Sequence, residues 1–149
     1  MWLLIISIGM IALTVGIHTL GAAFWLRDLG KRIELRASMN KAPRLFEGIL
    51  STAIVLIMLH IFEAFLWAIL YLQLPAQAGL KNFHDAVYFS MITFTTLGYG
   101  DITLDQEWQI LTGIEGMVGI TVFGITTALL FAVIQKIWRV KYKHPQKAD

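Results

Sequence analysis

Three long apolar segments constrain the fold of this chain more than any other feature. The segments are residues 3–26, 46–74 and 108–133, and they contain few ionisable residues: His18 in the first, Glu47, His60 and Glu63 in the second, and Glu115 in the third. A helix needs about 20 apolar residues to cross a hydrocarbon core of about 30 Å. The sequence therefore predicts an all-α membrane protein with three transmembrane helices.

The composition excludes several classes of soluble protein. Apolar residues make up 57% of the chain and charged residues only 15%, with a mean hydropathy of +0.68. The formal charge of +2 does not indicate nucleic-acid binding, because the basic residues flank the apolar segments and form no patch interleaved with aromatics. Since cysteine is absent, disulfides and thiolate metal sites are excluded.

The first apolar segment is interpreted as a retained span. It lacks a basic stretch before it, its apolar run is too long for a signal peptide, and no small-residue cleavage site stands out. The predicted organisation has six parts: a first transmembrane helix at 1–26, a basic cytoplasmic loop at 27–44, an outer transmembrane helix at 45–74, a turret, short helix and glycine loop at 75–107, an inner helix at 108–138 and a basic tail at 139–149.

The distribution of basic residues predicts the orientation in the membrane. The stretch 27–44 has six Lys or Arg against two acids, and the C-terminal tail is also basic, whereas 75–107 has Lys81 as its single basic residue. Basic loops stay on the cytoplasmic side. We expect a multi-pass cell-membrane protein with its N-terminus outside and its C-terminus in the cytoplasm. The loop at 27–44 could also lie on anionic lipid headgroups.

A helix of half the membrane thickness is predicted between the second and third spans. Residues 73–80 read as a turret-like loop, and Asn82 can cap the helix that follows. From Phe83 to Thr95 a helix would be about 20 Å long, too short to cross the membrane. A short descending helix followed by an extended return is tolerated at membrane depth only where protein or water covers the backbone. Several copies around a water-filled pore would satisfy this condition.

The return segment, residues 95–101, has glycines at Gly98 and Gly100. A row of carbonyls facing one axis needs backbone that alternates between right- and left-handed regions, and glycine adopts the left-handed region without steric cost. Rings of carbonyl oxygens, with the Thr96 hydroxyl, could replace the water shell of a monovalent cation. The run Thr96, Leu97, Gly98, Tyr99, Gly100 resembles the T-V-G-Y-G selectivity filter of potassium channels.

Taken whole, the chain resembles the small bacterial potassium channel family, with one span added before the pore unit. The resemblance implies a homotetramer in the lipid bilayer, with permeant potassium ions held at Thr96, Leu97, Gly98 and Tyr99 and no other cofactor. It also implies that Tyr88 braces Asp101 after the filter, with an interfacial aromatic as the alternative. No nucleophile and base are arranged for catalysis, so we do not expect an enzyme.

The inner helix carries a stretch similar to the gating region of these channels. By that resemblance Gly119 is the hinge candidate, although glycine in membrane helices often serves only close packing. Four further positions at helical spacing are expected to line the aqueous path: Ile120, Phe123, Thr127 and Phe131, the last as an inner constriction.

The ionisable residues within the spans form the last group of candidates. We expect His60, Glu63 and Glu115 to form one polar network behind the filter, which could sense pH. The alternative is protonated acids with single hydrogen bonds. His18 is predicted to lie at a different depth from His60, which disfavours a metal site.

Three other functions remain open from the sequence. One is a non-selective cation pore, against which Tyr99 argues, and another is a non-conducting membrane scaffold with a vestigial filter. The third is an intramembrane metalloenzyme that uses His60 and Glu63, although such sites need three or four ligands.

Overall fold

The computed structural model describes residues 2–39, 41, 44–75, 80 and 82–143, and all regular structure in these residues is helical. The helices are α1 (Trp2–Ser38), α2 (Leu45–Leu72), α3 (Phe83–Phe94) and α4 (Gln109–Lys143). Three of them, α1, α2 and α4, are long and apolar enough to cross a membrane. The predicted all-α fold with three membrane-spanning helices is therefore confirmed.

The short helix α3 packs between α2 and α4. It begins after Asn82, whose side-chain oxygen accepts a hydrogen bond from the Asp85 N–H at 2.9 Å, as the sequence predicted. Its buried face presents Phe89 and Phe94 to a core that contains Trp67 of α2 and Val122 of α4. Because α3 is held on both sides, the position of the segment that follows it is fixed by the two membrane-spanning helices.

Helix α1 is longer than the sequence predicted. It continues without interruption through Ser38, across most of the stretch 27–44 that we interpreted as a loop. The basic residues marked the end of the apolar segment, but Arg, Lys, Leu and Ala are all good helix formers, and the first proline after the span is Pro43. An exposed Asp28–Arg32 ion pair at 2.6 Å spans one turn of this extension.

The extension of α1 packs on the end of α4 in a second core cluster. Leu29 and Ile33 of α1 are buried against Val133 and Ile137 of α4. One interhelical ion pair lies beside this cluster, with Lys136 Nζ 3.6 Å from a carboxylate oxygen of Glu34. Half of the predicted turret, residues 76–79, and the end of the predicted tail, residues 144–149, lie outside the described residues.

Candidate functional site

The segment after α3 has an alternating backbone. Three residues spaced two apart have positive φ angles: Thr96 at 58°, Gly98 at 52° and Gly100 at 78°. The sequence predicted the alternation from the two glycines only. Thr96 was missed because a β-branched residue rarely adopts this region, so no sequence signal marks it. The alternation extends over the whole run 96–100.

Two backbone hydrogen bonds set the direction of the carbonyls in this run. The N–H groups of Leu97 and Gly98 both donate to the carbonyl of Ile92, at 2.8 and 3.1 Å. No peptide bond among the described residues is cis, and a trans peptide holds its C=O antiparallel to its N–H. The carbonyls of Thr96 and Leu97 therefore point away from α3. Residues 95–101 are exposed on the protomer, so these oxygens are open to a ligand.

A side-chain hydrogen bond joins α3 to the end of the run. Tyr88 Oη lies 2.9 Å from Asp101 Oδ2 and donates to it. This hydrogen bond is the main reason that the pKa of Tyr88 is raised above its ordinary value. A neutral tyrosine is thus retained as the donor at physiological pH, and the structure places the two predicted bracing residues in direct contact.

Gly119 of α4 lies against the end of α3. A Cβ at this position would lie 1.9 Å from the backbone oxygen of Phe94, far inside van der Waals contact. The glycine therefore has a packing role: it lets the backbones of α3 and α4 approach each other. The structure describes α4 as one continuous helix through Gly119.

The four predicted pore-lining positions lie on exposed parts of α4. In the protomer, Ile120 is 62% exposed and Phe131 is 59% exposed, and Thr127 is exposed as well. Phe123 differs from the other three because its ring also stacks on His60, with ring centroids 4.2 Å apart. Phe123 thus connects the open face of α4 to the protein interior.

Glu115 is held in a buried cluster that joins α2, α3 and α4. Tyr71 Oη donates to Glu115 Oε2 at 2.5 Å, and Ser90 Oγ lies 2.5 Å from Glu115 Oε1. Ser90 Oγ also lies 2.7 Å from the Ala64 carbonyl. Both carboxylate oxygens are therefore partnered by hydroxyls, and α3 is tied to both neighbours. Tyr71 and Ser90 were missed because hydroxyl residues carry no periodic sequence signal.

His60 and Glu63 belong to a different cluster, which contains His18 of α1 and Thr126 of α4. Glu63 Oε1 lies 3.0 Å from His18 Nδ1, and Glu63 Oε2 lies 3.5 Å from His60 Nδ1. On the opposite side, Thr126 Oγ1 lies 2.9 Å from His60 Nε2 and 3.1 Å from His18 Nε2. The two imidazoles are stacked with centroids 4.9 Å apart.

Two predictions about the ionisable residues need correction. Among the described residues, no hydrogen bond joins Glu115 to the pair His60 and Glu63, so the expected single network is two clusters. The prediction that His18 lies at a different depth from His60 is wrong, because the rings are stacked. That depth was measured from the end of the apolar segment, whereas α1 runs on through Ser38 and its sequence does not mark the membrane surface.

Comparison with known proteins identifies the part of the chain that contains the filter-like run. A family model described as "Ion channel" matches residues 49–136, which is more than half of the chain. No curated protein and no solved structure matches in the same comparisons. The match begins in α2 and ends in α4. It includes α3, the run 96–100, and the cluster residues Tyr71, Ser90 and Glu115. The chain belongs to this ion channel family.

Proposed function

We propose that the protein is a potassium-selective channel that conducts passively through a filter formed by Thr96, Leu97, Gly98, Tyr99 and Gly100. The observation that carries this proposal is the alternation of positive φ angles at positions 96, 98 and 100. It is supported by the two N–H groups that donate to Ile92, since they leave the carbonyls free to face a dehydrated cation.

The conducting form is a homotetramer with the filter towards the outside and the C-terminus in the cytoplasm. One chain supplies one wall of a filter, so a ring of chains is needed, and the number four follows from the family resemblance. The exposed fractions agree with a surface completed by other copies: Leu97 is 55% exposed and Tyr99 is 68% exposed. Potassium ions would bind at the carbonyls of residues 96–99.

Selectivity for potassium rests on the residue between the two glycines. Tyr99 matches the selective filter pattern, and Leu97 contributes its carbonyl, which is the functional atom whatever the side chain. The C-terminal end of α3, where Ile92 lies, faces this region, and the partial negative charge of a helix C-terminus favours a cation.

The test is ion flux into liposomes reconstituted with purified protein, with potassium and sodium compared and barium as blocker. Gly98→Ala places a side chain at a φ of +52°, which costs about 1–2 kcal/mol in each subunit and distorts the carbonyl ring. Gly9→Ala is the matched control, because Gly9 lies on the exposed face of α1 with nothing within 4 Å.

We expect barium-sensitive potassium uptake by the wild type and by Gly9→Ala, and its loss in Gly98→Ala. Equal uptake of sodium and potassium would replace the proposal with a non-selective cation pore. No uptake between about pH 5 and 8, from protein shown to be tetrameric, would favour the non-conducting scaffold.

A further inference from the structure

We propose that His18, His60 and Glu63 bind a zinc ion that joins α1 to the ion channel unit, residues 49–136. The three side chains offer ligand atoms that all lie within 4.8 Å of one another. His18 and Glu63 are fully buried, and His60 is 6% exposed. Such a cluster of two imidazoles and one carboxylate in a membrane-spanning bundle needs a physical reason, since buried ionisable groups are costly unless they are paired or coordinate a metal.

The first argument is the set of atoms that have no hydrogen-bond partner. In the described structure, His60 Nδ1 and Glu63 Oε2 are buried without one, and they lie 3.5 Å apart. Beside them, His18 Nδ1 lies 3.0 Å from the other oxygen of the same carboxylate. Nitrogen and oxygen lone pairs thus converge on one edge of the cluster, and a metal ion bound there would satisfy both unpartnered atoms.

The second argument is the partner on the opposite edge. A metal-binding histidine normally donates its other ring N–H to an oxygen, which fixes the tautomer and the ring orientation. Thr126 Oγ1 lies 2.9 Å from His60 Nε2 and 3.1 Å from His18 Nε2. One hydroxyl oxygen can accept both N–H donors, so Thr126 holds both rings with Nδ1 directed to the proposed ion.

The ligand set selects the metal. Imidazole nitrogens favour zinc, copper, iron and nickel over magnesium and calcium. Two histidines and one glutamate with a fourth position left to water make a recognised tetrahedral zinc set, with bonds of about 2.0–2.2 Å. Ligand atoms around such an ion lie about 3.3–3.6 Å apart. The two Glu63 oxygens lie 3.0 Å from His18 Nδ1 and 3.5 Å from His60 Nδ1, so small side-chain adjustments would bring the three ligands around one ion. When zinc binds, a proton shared between His18 Nδ1 and Glu63 Oε1 is released to solvent.

The site gives α1 a role that the family match does not supply. His18 lies on the helix outside residues 49–136, and Thr126 lies on α4. The ring of His60 stacks on Phe123 of α4 with an interplanar angle of 19°. Zinc would therefore fix α1, α2 and α4 relative to one another at the level of Phe123, and its binding is independent of whether the filter selects potassium.

The test is the zinc content of the full-length, untagged protein in detergent. The protein is purified from zinc-supplemented medium and dialysed against metal-free buffer, and zinc is then measured per chain. We expect one zinc per chain. After removal of zinc with a chelator, added cobalt should give the visible absorption bands of a tetrahedral site, and zinc should raise the thermal unfolding temperature.

Variants with and without the ligands make the test specific. His18→Asn and Glu63→Gln should lose the bound zinc. Thr126→Val should weaken zinc affinity about 10- to 100-fold, because it removes the hydroxyl oxygen that contacts Nε2 of both histidines. The matched control replaces the other two histidines of the chain, His84→Asn with His144→Asn, and should keep one zinc per chain.

Two outcomes would overturn the proposal. One is a zinc content of the wild type that is no higher than that of His18→Asn, which would mean that the cluster is joined by hydrogen bonds alone and binds no zinc. The other is zinc lost from the control variant, which would place the metal at His84 or His144. If His18→Asn or Glu63→Gln fails to assemble, the cobalt spectrum of the wild type decides, and the absence of tetrahedral bands would reject the site. None of these measurements uses ion flux.

Discussion

The two sides of the α2–α4 pair are built differently, although each contains a buried glutamate. On the α3 side, Glu115 has hydroxyl partners on both carboxylate oxygens, and Gly119 brings two backbones together. On the α1 side, one oxygen of Glu63 has no hydrogen-bond partner among the residues that the structure describes. On the α3 side the hydrogen-bonding capacity of the carboxylate is thus used by protein groups, which brace the three helices. On the α1 side one carboxylate oxygen can still accept a ligand such as a metal ion. Two glutamates in the same bundle can therefore have different roles, according to how many hydrogen-bond partners their carboxylate oxygens have.

The strongest test of this comparison is Gly119→Ala on the α3 side. The new methyl would meet the Phe94 carbonyl, and backbone cannot rotate away as a side chain can, so we expect a loss of about 3 kcal/mol or more in the free energy of unfolding. Chemical denaturation in detergent measures it. Gly113→Ala on the same helix is the control, because a Cβ there has nothing within 4 Å in the protomer. Full stability with altered channel opening would instead restore the hinge interpretation.

The second test is Glu115→Leu, which removes two interhelical hydrogen bonds from the brace. In membranes such bonds contribute about 0.6–1.7 kcal/mol each, so we expect a loss of about 1–3 kcal/mol in the same denaturation assay. Glu115→Gln is the control, because its amide can accept from Tyr71 and donate to Ser90. We expect Gln to keep both the stability and the pH profile of conduction between about pH 5 and 8. A changed profile would make Glu115 a sensor and contradict its role as a brace.

A smaller effect is expected from Thr126→Val on the α1 side in the zinc-free protein. The substitution removes the hydroxyl that contacts both histidines, but the imidazoles remain stacked, so a loss of about 1 kcal/mol is expected. Thr121→Val is the matched control, since its hydroxyl donates to the Met117 carbonyl of its own helix. A loss as large as that of Glu115→Leu would remove the distinction between the two sides.

The smallest change in stability is expected for Tyr88→Phe in the middle of α3. Since the hydrogen bond to Asp101 raises the pKa of Tyr88, the folded state favours the protonated phenol. Its stabilising contribution is complete below the ordinary tyrosine pKa of about 10 and is lost as pH rises through the higher folded value. In an alkaline titration, the tyrosinate absorbance of the wild type minus that of the variant reports Tyr88. This difference should appear at a higher pH than the ionisation of an ordinary tyrosine. An ordinary titration would mean that the bond does not persist in solution.

Much of the fold could be predicted from the sequence, because its signals are local. Apolar length gives the three spans, and Asn82 with the short run after it gives α3. The glycines at 98 and 100 give the alternating backbone. Two features could not be predicted. The positive φ of Thr96 accompanies a local turn in which Leu97 and Gly98 donate to the Ile92 carbonyl, and the contact of His18 with His60 depends on how α1 packs on α2. Hydroxyl partners such as Ser90 carry no pattern at all.

The long first helix has a mechanical consequence for any movement of the inner helix. At about 1.5 Å per residue, α1 is roughly 55 Å long, well beyond the hydrocarbon thickness. Its N-terminal half carries His18, and its C-terminal part packs on α4 through Leu29 and Ile33, beside the Glu34–Lys136 ion pair. A movement of the C-terminal part of α4 would therefore have to carry α1 along or break these contacts. The free energy of such a movement would then depend on α1, a helix that lies outside the ion channel unit, residues 49–136.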